Sequence, residues 1–80
     1  MRLELLSRAG CHLCAAMAAV LDRELPAHGL GYRTLDVDLD PELARRFGDA
    51  VPVLLRDGRP VAKVRLDART LRRLVERRSR

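Results

Sequence analysis

The sequence predicts an α/β fold: one mixed four-stranded sheet with helices on both faces, in the order β-α-β-α-β-β-α. Three observations carry that reading. Apolar residues recur with a period near two in short runs and near 3.6 in longer ones. Helix start and stop signals stand at Asp40-Pro41 and at Pro26 with Gly29. Asp57-Gly58 lies between two short apolar runs, a strong local signal for a hairpin. Eighty residues make a single domain, 1–80, without repeats, linker or low-complexity segment. A chain of this size buries only roughly 60% of the surface its unfolded form exposes, so its layers have to pack well.

Each element has its own warrant. "RLELL", residues 2–6, is a strand with Leu3 and Leu5 on one face and Leu6 on the other. Ser7 to Gly10 is a turn. From His12 the period becomes helical, with Cys14, Ala18, Leu21 and Leu25 forming one stripe. Pro26 disfavours helical geometry at Leu25 and, with Gly29, ends the element. "YRTLDVD", Tyr32 to Asp38, is the second strand. In "DPELARRFG" Asp40 is the N-cap, Pro41 suits the first turn and Gly48 the stop, with Leu43 and Phe47 on one face. Strands at 53–56 and 59–64 make the hairpin. Asp67 caps a last helix whose Leu71, Leu74 and Val75 face inward while its arginines face water. The opening βαβ unit makes the first two strands parallel, with a right-handed crossover.

The formal charge is +5, and of the sixteen basic residues only Lys63 is a lysine. The arginines are dispersed apart from a denser group after Arg69, and the aromatic residues on which bases stack are missing but for Tyr32 and Phe47. A solvated basic face is therefore expected rather than a nucleic-acid site, with Arg72, Arg73, Arg77 and Arg78 on it. Glu4, Arg8 and His12 interrupt any signal-peptide core, and no run approaches the ~20 apolar residues of a membrane span. A cytoplasmic location without membrane association follows as the expectation. There a purely structural disulfide does not persist.

That leaves the two cysteines, Cys11 and Cys14, in "SRAGCHLC". Cys11 is expected at the first turn of a helix that follows a strand, and the free N–H groups and positive end of a helix stabilise a thiolate. Such a placement lowers a cysteine pKa from about 8.5 to roughly 3.5–7.5. Cys14 lies one turn on, within disulfide reach and on the buried stripe. One activated, accessible thiol and one shielded thiol suit thiol–disulfide exchange. His12, when protonated, can assist the Cys11 thiolate. Competing readings are a zinc site, an iron–sulfur cluster shared between chains, and two inert core cysteines. Zinc needs about four ligands, and His28 lies beyond the far end of a helix roughly 20 Å long, so one chain does not close the site. "DVDLDP" alternates carboxylates, but a calcium loop starting at Asp36 requires glycine and glutamate where Pro41 and Phe47 stand. No metal site is expected.

The succession of "SRAGCHLC", "DVDLDPELARRFG" and "VPVLLRDGRPV" resembles the glutaredoxin-like members of the thioredoxin superfamily, particularly the short bacterial glutaredoxin-like proteins, over residues 3 to 76. The resemblance implies a thioredoxin fold, Cys11 as nucleophile, Cys14 as resolving thiol, and a cis bond before Pro52. The Val51 backbone would then pair with an extended substrate beside Cys11. Arg8 matches the basic residue that glutaredoxins carry three positions before the first cysteine and would attract a glutathione carboxylate. Asp67 is also retained, at the start of the last helix, whose N–H groups would meet the second carboxylate. His12 and Leu13 border the same groove. Two departures stand out. His12-Leu13 replaces the usual Pro-Tyr or Pro-Phe, and Ala62, Lys63 and Val64 replace a Gly-Gly pair. The resulting expectation is a thiol–disulfide oxidoreductase acting on protein or small-molecule disulfides, a monomer with no bound cofactor. Glutathione or a thioredoxin-type reductase would supply its electrons, with glutathione turnover below that of a typical glutaredoxin. The alternative is a redox-inactive thioredoxin-like binding module.

Overall fold

A computed structural model describes residues 1–76. Its strands are β1 (Leu3–Ser7), β2 (Arg33–Asp36), β3 (Val53–Arg56) and β4 (Arg59–Lys63), and its α-helices are α1 (His12–Glu24), α2 (Pro41–Phe47) and α3 (Ala68–Glu76). The sheet order is β2-β1-β3-β4. β1 runs parallel to β2, with Glu4 opposite Arg33, and antiparallel to β3, with Leu5 opposite Leu54. β3 and β4 are antiparallel. This is the expected βαβ unit followed by a hairpin, closed into one mixed sheet.

The alternation along the strands divides the core in two. Leu3, Leu5 and Leu54 pack with Met17, Leu21, Leu25, Leu66, Leu71 and Val75 on the face covered by α1 and α3. Leu6, Val53 and Leu55 point to the other face, against Val37 and Phe47. Both faces of β1 and β3 are thus covered, and their apolar runs are continuous because they serve two layers. β4 is the edge strand, which is where Pro60 is tolerated. Its missing N–H falls beside Leu55, at a break in register between Leu54 and Leu55.

Short-range signals act where the sequence places them. Asp40 accepts N–H bonds from Glu42 and Leu43 at 3.0 and 3.3 Å, and Asp67 accepts that of Thr70 at 2.7 Å. Asp57 and Gly58 both take positive φ, 51° and 85°, the handedness that matches strand twist in a two-residue hairpin. In α3, Leu71 and Val75 are buried and Leu74 partly so, and Arg56 Nη1 donates to the Leu74 carbonyl at 2.9 Å.

Four expectations need correction. The chain does not leave helical geometry at Leu25: a 3-10 turn, Leu25–His28, continues α1 until Gly29 at φ 68°. Pro26 sits in the first turn of that segment, where no N–H is required. The buried stripe of α1 runs through Met17 as well as Cys14 and Leu21, while Ala18 is only partly covered. The second strand spans Arg33–Asp36, not Tyr32 to Asp38. Asp36 accepts the Asp38 N–H at 2.9 Å and winds Val37–Leu39 into a 3-10 turn. The last strand stops at Lys63 rather than 64, because Val64 turns to φ 69° and donates its N–H to the Pro52 carbonyl at 2.7 Å.

Tyr32, just before β2, is half-buried and donates to Asp22 at 2.8 Å. Burial first, and the Asp22 carboxylate second, push its phenol up to about 12. On α3 the exposed Arg72 reaches Glu24 at 3.4 Å, and Arg73 is exposed. Arg77 and Arg78 lie outside the described residues.

Candidate active site

The site is built on the passage from β1 to α1. Gly10, at φ 75°, turns the chain in a conformation that side chains resist, and Cys11 becomes the N-cap of α1. It therefore precedes the first helical turn rather than lying within it. Its Sγ accepts the Cys14 N–H at 3.1 Å, so one of the free N–H groups of the helix start is aimed at the sulfur. The Cys11 carbonyl accepts from Ala15 at 3.1 Å, and the Cys11 N–H donates to the Arg8 carbonyl at 3.3 Å. Cys11 and Cys14 are joined as a disulfide, with Cα atoms 5.2 Å apart. Cys14 is 5% exposed whereas Cys11 is half-buried. Cys11 is thus the more accessible of the two residues and Cys14 the shielded one.

A cleft of about 380 Å³ opens beside the pair and brings Arg8, Cys11, His12 and Cys14 together with Ser7 and Thr34. His12 is exposed at its rim. The Arg8 guanidinium is turned onto Asp38, with Nε 3.0 Å from Oδ2, and onto the Gly48 carbonyl, 3.1 Å from Nη1. The Asp38 hydrogen bonds, then its charge, raise the Arg8 pKa above its ordinary value.

Leu13 faces a different groove, of about 130 Å³, with Ala16, Val20, Val64 and Arg65. Leu13 and Val64 are 36% and 39% exposed, so an apolar edge flanks the disulfide where the residue between the cysteines meets the end of β4. Asp67 lines a third depression, of about 560 Å³, together with Arg65 and Thr70. The Thr70 N–H holds its carboxyl below the usual range. Val51 and Pro52 line none of these three hollows. The Val51–Pro52 bond is cis, Pro52 is buried, and its carbonyl is held by Val64.

Sequence reasoning missed Asp38 as the partner of Arg8, and Arg65 as a residue that, with Leu66, lines two hollows. Nothing local signals either one. It noted the missing glycines around Val64 but not that Val64 keeps a left-handed conformation. Among the described residues no group of three or more His, Cys, Asp and Glu could hold a metal ion. No helix among them is long and apolar enough to cross a membrane.

Comparison with known proteins agrees with this geometry. The family described as Glutaredoxin-like domain (DUF836) matches residues 2–76. Uncharacterized proteins of Mycobacterium bovis and Mycobacterium tuberculosis are 38% identical over 76 residues, covering 89% of this chain and 78% of theirs. Among solved structures, the protein XcR50 from X. campestris superposes with a TM-score of 0.76 at 31% identity, covering 92% of this chain and 95% of that one. Protein Ne2328 from Nitrosomonas europaea gives 0.77 at 27%, covering 91% and 88%. Thioredoxin 1 from Thermosipho africanus shares the fold at 17% identity, with a TM-score of 0.64 over the full length of both chains. With a thioredoxin-like sheet, a Cys-X-X-Cys pair at the start of α1, and a family match that spans nearly every residue, this chain belongs to the glutaredoxin-like family.

Proposed function

We propose that the protein is a thiol–disulfide oxidoreductase in which Cys11 is the nucleophile and Cys14 the resolving thiol. The observation that carries this reading is the Cys14 N–H directed at Cys11 Sγ from the start of a helix, with Cys14 itself buried. In the reduced protein the same N–H stabilises negative charge on Cys11 over the thiol. The Cys11 thiolate attacks one sulfur of a substrate disulfide, and the other sulfur leaves as a thiolate that takes up a proton. Cys14 then gives up its proton and attacks Cys11 Sγ, releasing the second substrate sulfur. Two electrons have passed to the substrate, and the Cys11–Cys14 disulfide remains. A thiol reductant, glutathione or a thioredoxin-type reductase, returns the pair to the dithiol.

Protein and small-molecule disulfides are the proposed substrates, and the cytoplasm, where thiol pools are kept reduced, the proposed location. His12 at the cleft rim, Leu13 at the apolar edge and the Val51–Pro52 segment are the proposed substrate contacts. The test is the division of labour between the two sulfurs. Cys11→Ser should abolish disulfide reduction, whereas Cys14→Ser should accumulate mixed disulfides on Cys11, detected by mass spectrometry. Faster alkylation of Cys14 than of Cys11 in the reduced protein would reverse the assignment.

A further inference from the structure

Arg8 links three segments of the chain. Its backbone carbonyl accepts the Cys11 N–H at 3.3 Å, which places the residue on the loop that carries the nucleophile. Its guanidinium reaches across to the 3-10 turn after β2. There Nε lies 3.2 and 3.0 Å from the two Asp38 oxygens, and Nη2 lies 3.0 Å from Oδ1. Nη1 donates to the Gly48 carbonyl at 3.1 Å, at the C-terminal end of α2, from which the chain runs on to Val51 and Pro52. A planar fork on a carboxylate fixes direction as well as distance, which a lysine does not.

Gly48 lies close to the guanidinium, and its tightest contact is with its own helix turn. A Cβ added there would press on the Ala44 carbonyl oxygen and lie 3.3 Å from Arg8 Nη2. The backbone at 48 is helical, at φ −55°, so it is the space rather than the conformation that a side chain would violate. The Nε–Nη2 edge of the guanidinium is turned onto Asp38, and Nη1 onto the Gly48 carbonyl.

We propose that Arg8 is a positioning residue: it fixes the Cys11 loop against Asp38 and the end of α2, and does not serve as a receptor for a substrate carboxylate. Sulfur exchange requires the attacking sulfur to be aligned with the disulfide it opens, and an ångström of misplacement is costly in rate. Arg8 acts through the loop on that alignment. The inference rests on the oxidoreductase reading, and its test is arranged so that the two can fail separately.

The variants are Arg8→Met, Arg8→Lys and Asp38→Asn, the last of which keeps the cation but frees it. Three readouts are taken, with circular dichroism and melting curves to establish that each variant is folded. They are kcat and KM on bis(2-hydroxyethyl) disulfide, which has no carboxylate, the same on glutathione disulfide, and alkylation of Cys11 by neutral iodoacetamide. Both disulfides are assayed with dithiothreitol, also free of carboxylate, as the reductant, and the uncatalysed rate is subtracted. Arg8→Met and Asp38→Asn should both lower kcat on both disulfides, by roughly threefold or more, with KM little changed. Both should shift Cys11 alkylation in the same direction, and Arg8→Lys should recover only part of the loss. Loss confined to glutathione disulfide in Arg8→Met, or a gain on it in Asp38→Asn, would overturn the proposal in favour of a carboxylate receptor. Alkylation shifts of opposite sign in Arg8→Met and Asp38→Asn would overturn it in favour of a plain charge effect. Lowered melting temperatures with unchanged kcat would reduce Arg8 to a structural tie and also overturn it. A wild-type protein inactive on both disulfides would overturn the oxidoreductase reading alone, and the alkylation rates would still decide the role of Arg8.

Discussion

Val64 is a β-branched residue at φ 69°, where side chains other than glycine are strained. Replacing it by Ala and by Gly isolates that strain, because both variants lose the same partial burial of the valine methyls and both keep the N–H that bonds Pro52. Alanine retains a left-handed penalty of about 1–2 kcal/mol. Glycine escapes it, but has about 0.4–1 kcal/mol more freedom to lose from the unfolded chain. The difference leaves Val64→Gly more stable than Val64→Ala by about 0.5–1 kcal/mol, or about 2–8 °C in melting temperature for a domain of this size. In an ordinary strand the order is reversed, with glycine below alanine by roughly 0.5–1 kcal/mol. Thermal melting of the three proteins under one reducing buffer decides the matter. Val64→Ala melting at or above Val64→Gly would refute the reasoning, since the backbone at 64 would then not be left-handed in solution.

The same side chain bears on glutathione: with Val64 and Leu13 bordering the groove, turnover in a hydroxyethyl-disulfide assay coupled to glutathione reductase should fall well below a glutaredoxin control. A loss of about 1.4 kcal/mol of contact is already tenfold, and turnover equal to the control would refute the expectation. Tyr32 is the only tyrosine and there is no tryptophan, so phenolate absorbance reports it alone. Its midpoint should lie at about 12, and a midpoint near the ordinary value of about 10 would refute its burial. Because the folded state holds the protonated phenol, this contribution to stability is complete below pH ~10 and is lost as the pH rises toward the folded value of about 12. The exposed arginines of α3, Arg72 among them beside Glu24, should give at most weak oligonucleotide binding that fades with salt. Sub-micromolar binding at physiological salt would contradict this.

What the sequence discloses here is what neighbouring residues settle among themselves. Leu3 and Leu5 part from Leu6 by alternation alone, Asp40 and Asp67 find their N–H partners within three residues, and Asp57-Gly58 carries its own handedness. The cysteine pair is legible for the same reason, since the N–H that meets Cys11 Sγ belongs to Cys14, one turn away. Its surroundings are not, because they are assembled from distant segments. Arg8 and Asp38 are thirty residues apart, and no periodicity links them. Pro26 looked like a helix end because the rule for the residue before a proline is only a bias, and Leu25, buried in the core, keeps its helical conformation against it. Val64 shows the limit most sharply. That a valine stands where the resembled family carries glycine is visible in the sequence, but the conformation it takes is not. β4 ends as the Val64 N–H reaches the Pro52 carbonyl, and φ at Val64 is positive there. Strain of this kind persists only where the surrounding structure over-determines it. At the edge of the groove beside Leu13, the fold imposes the conformation and the sequence supplies the side chain that lines it.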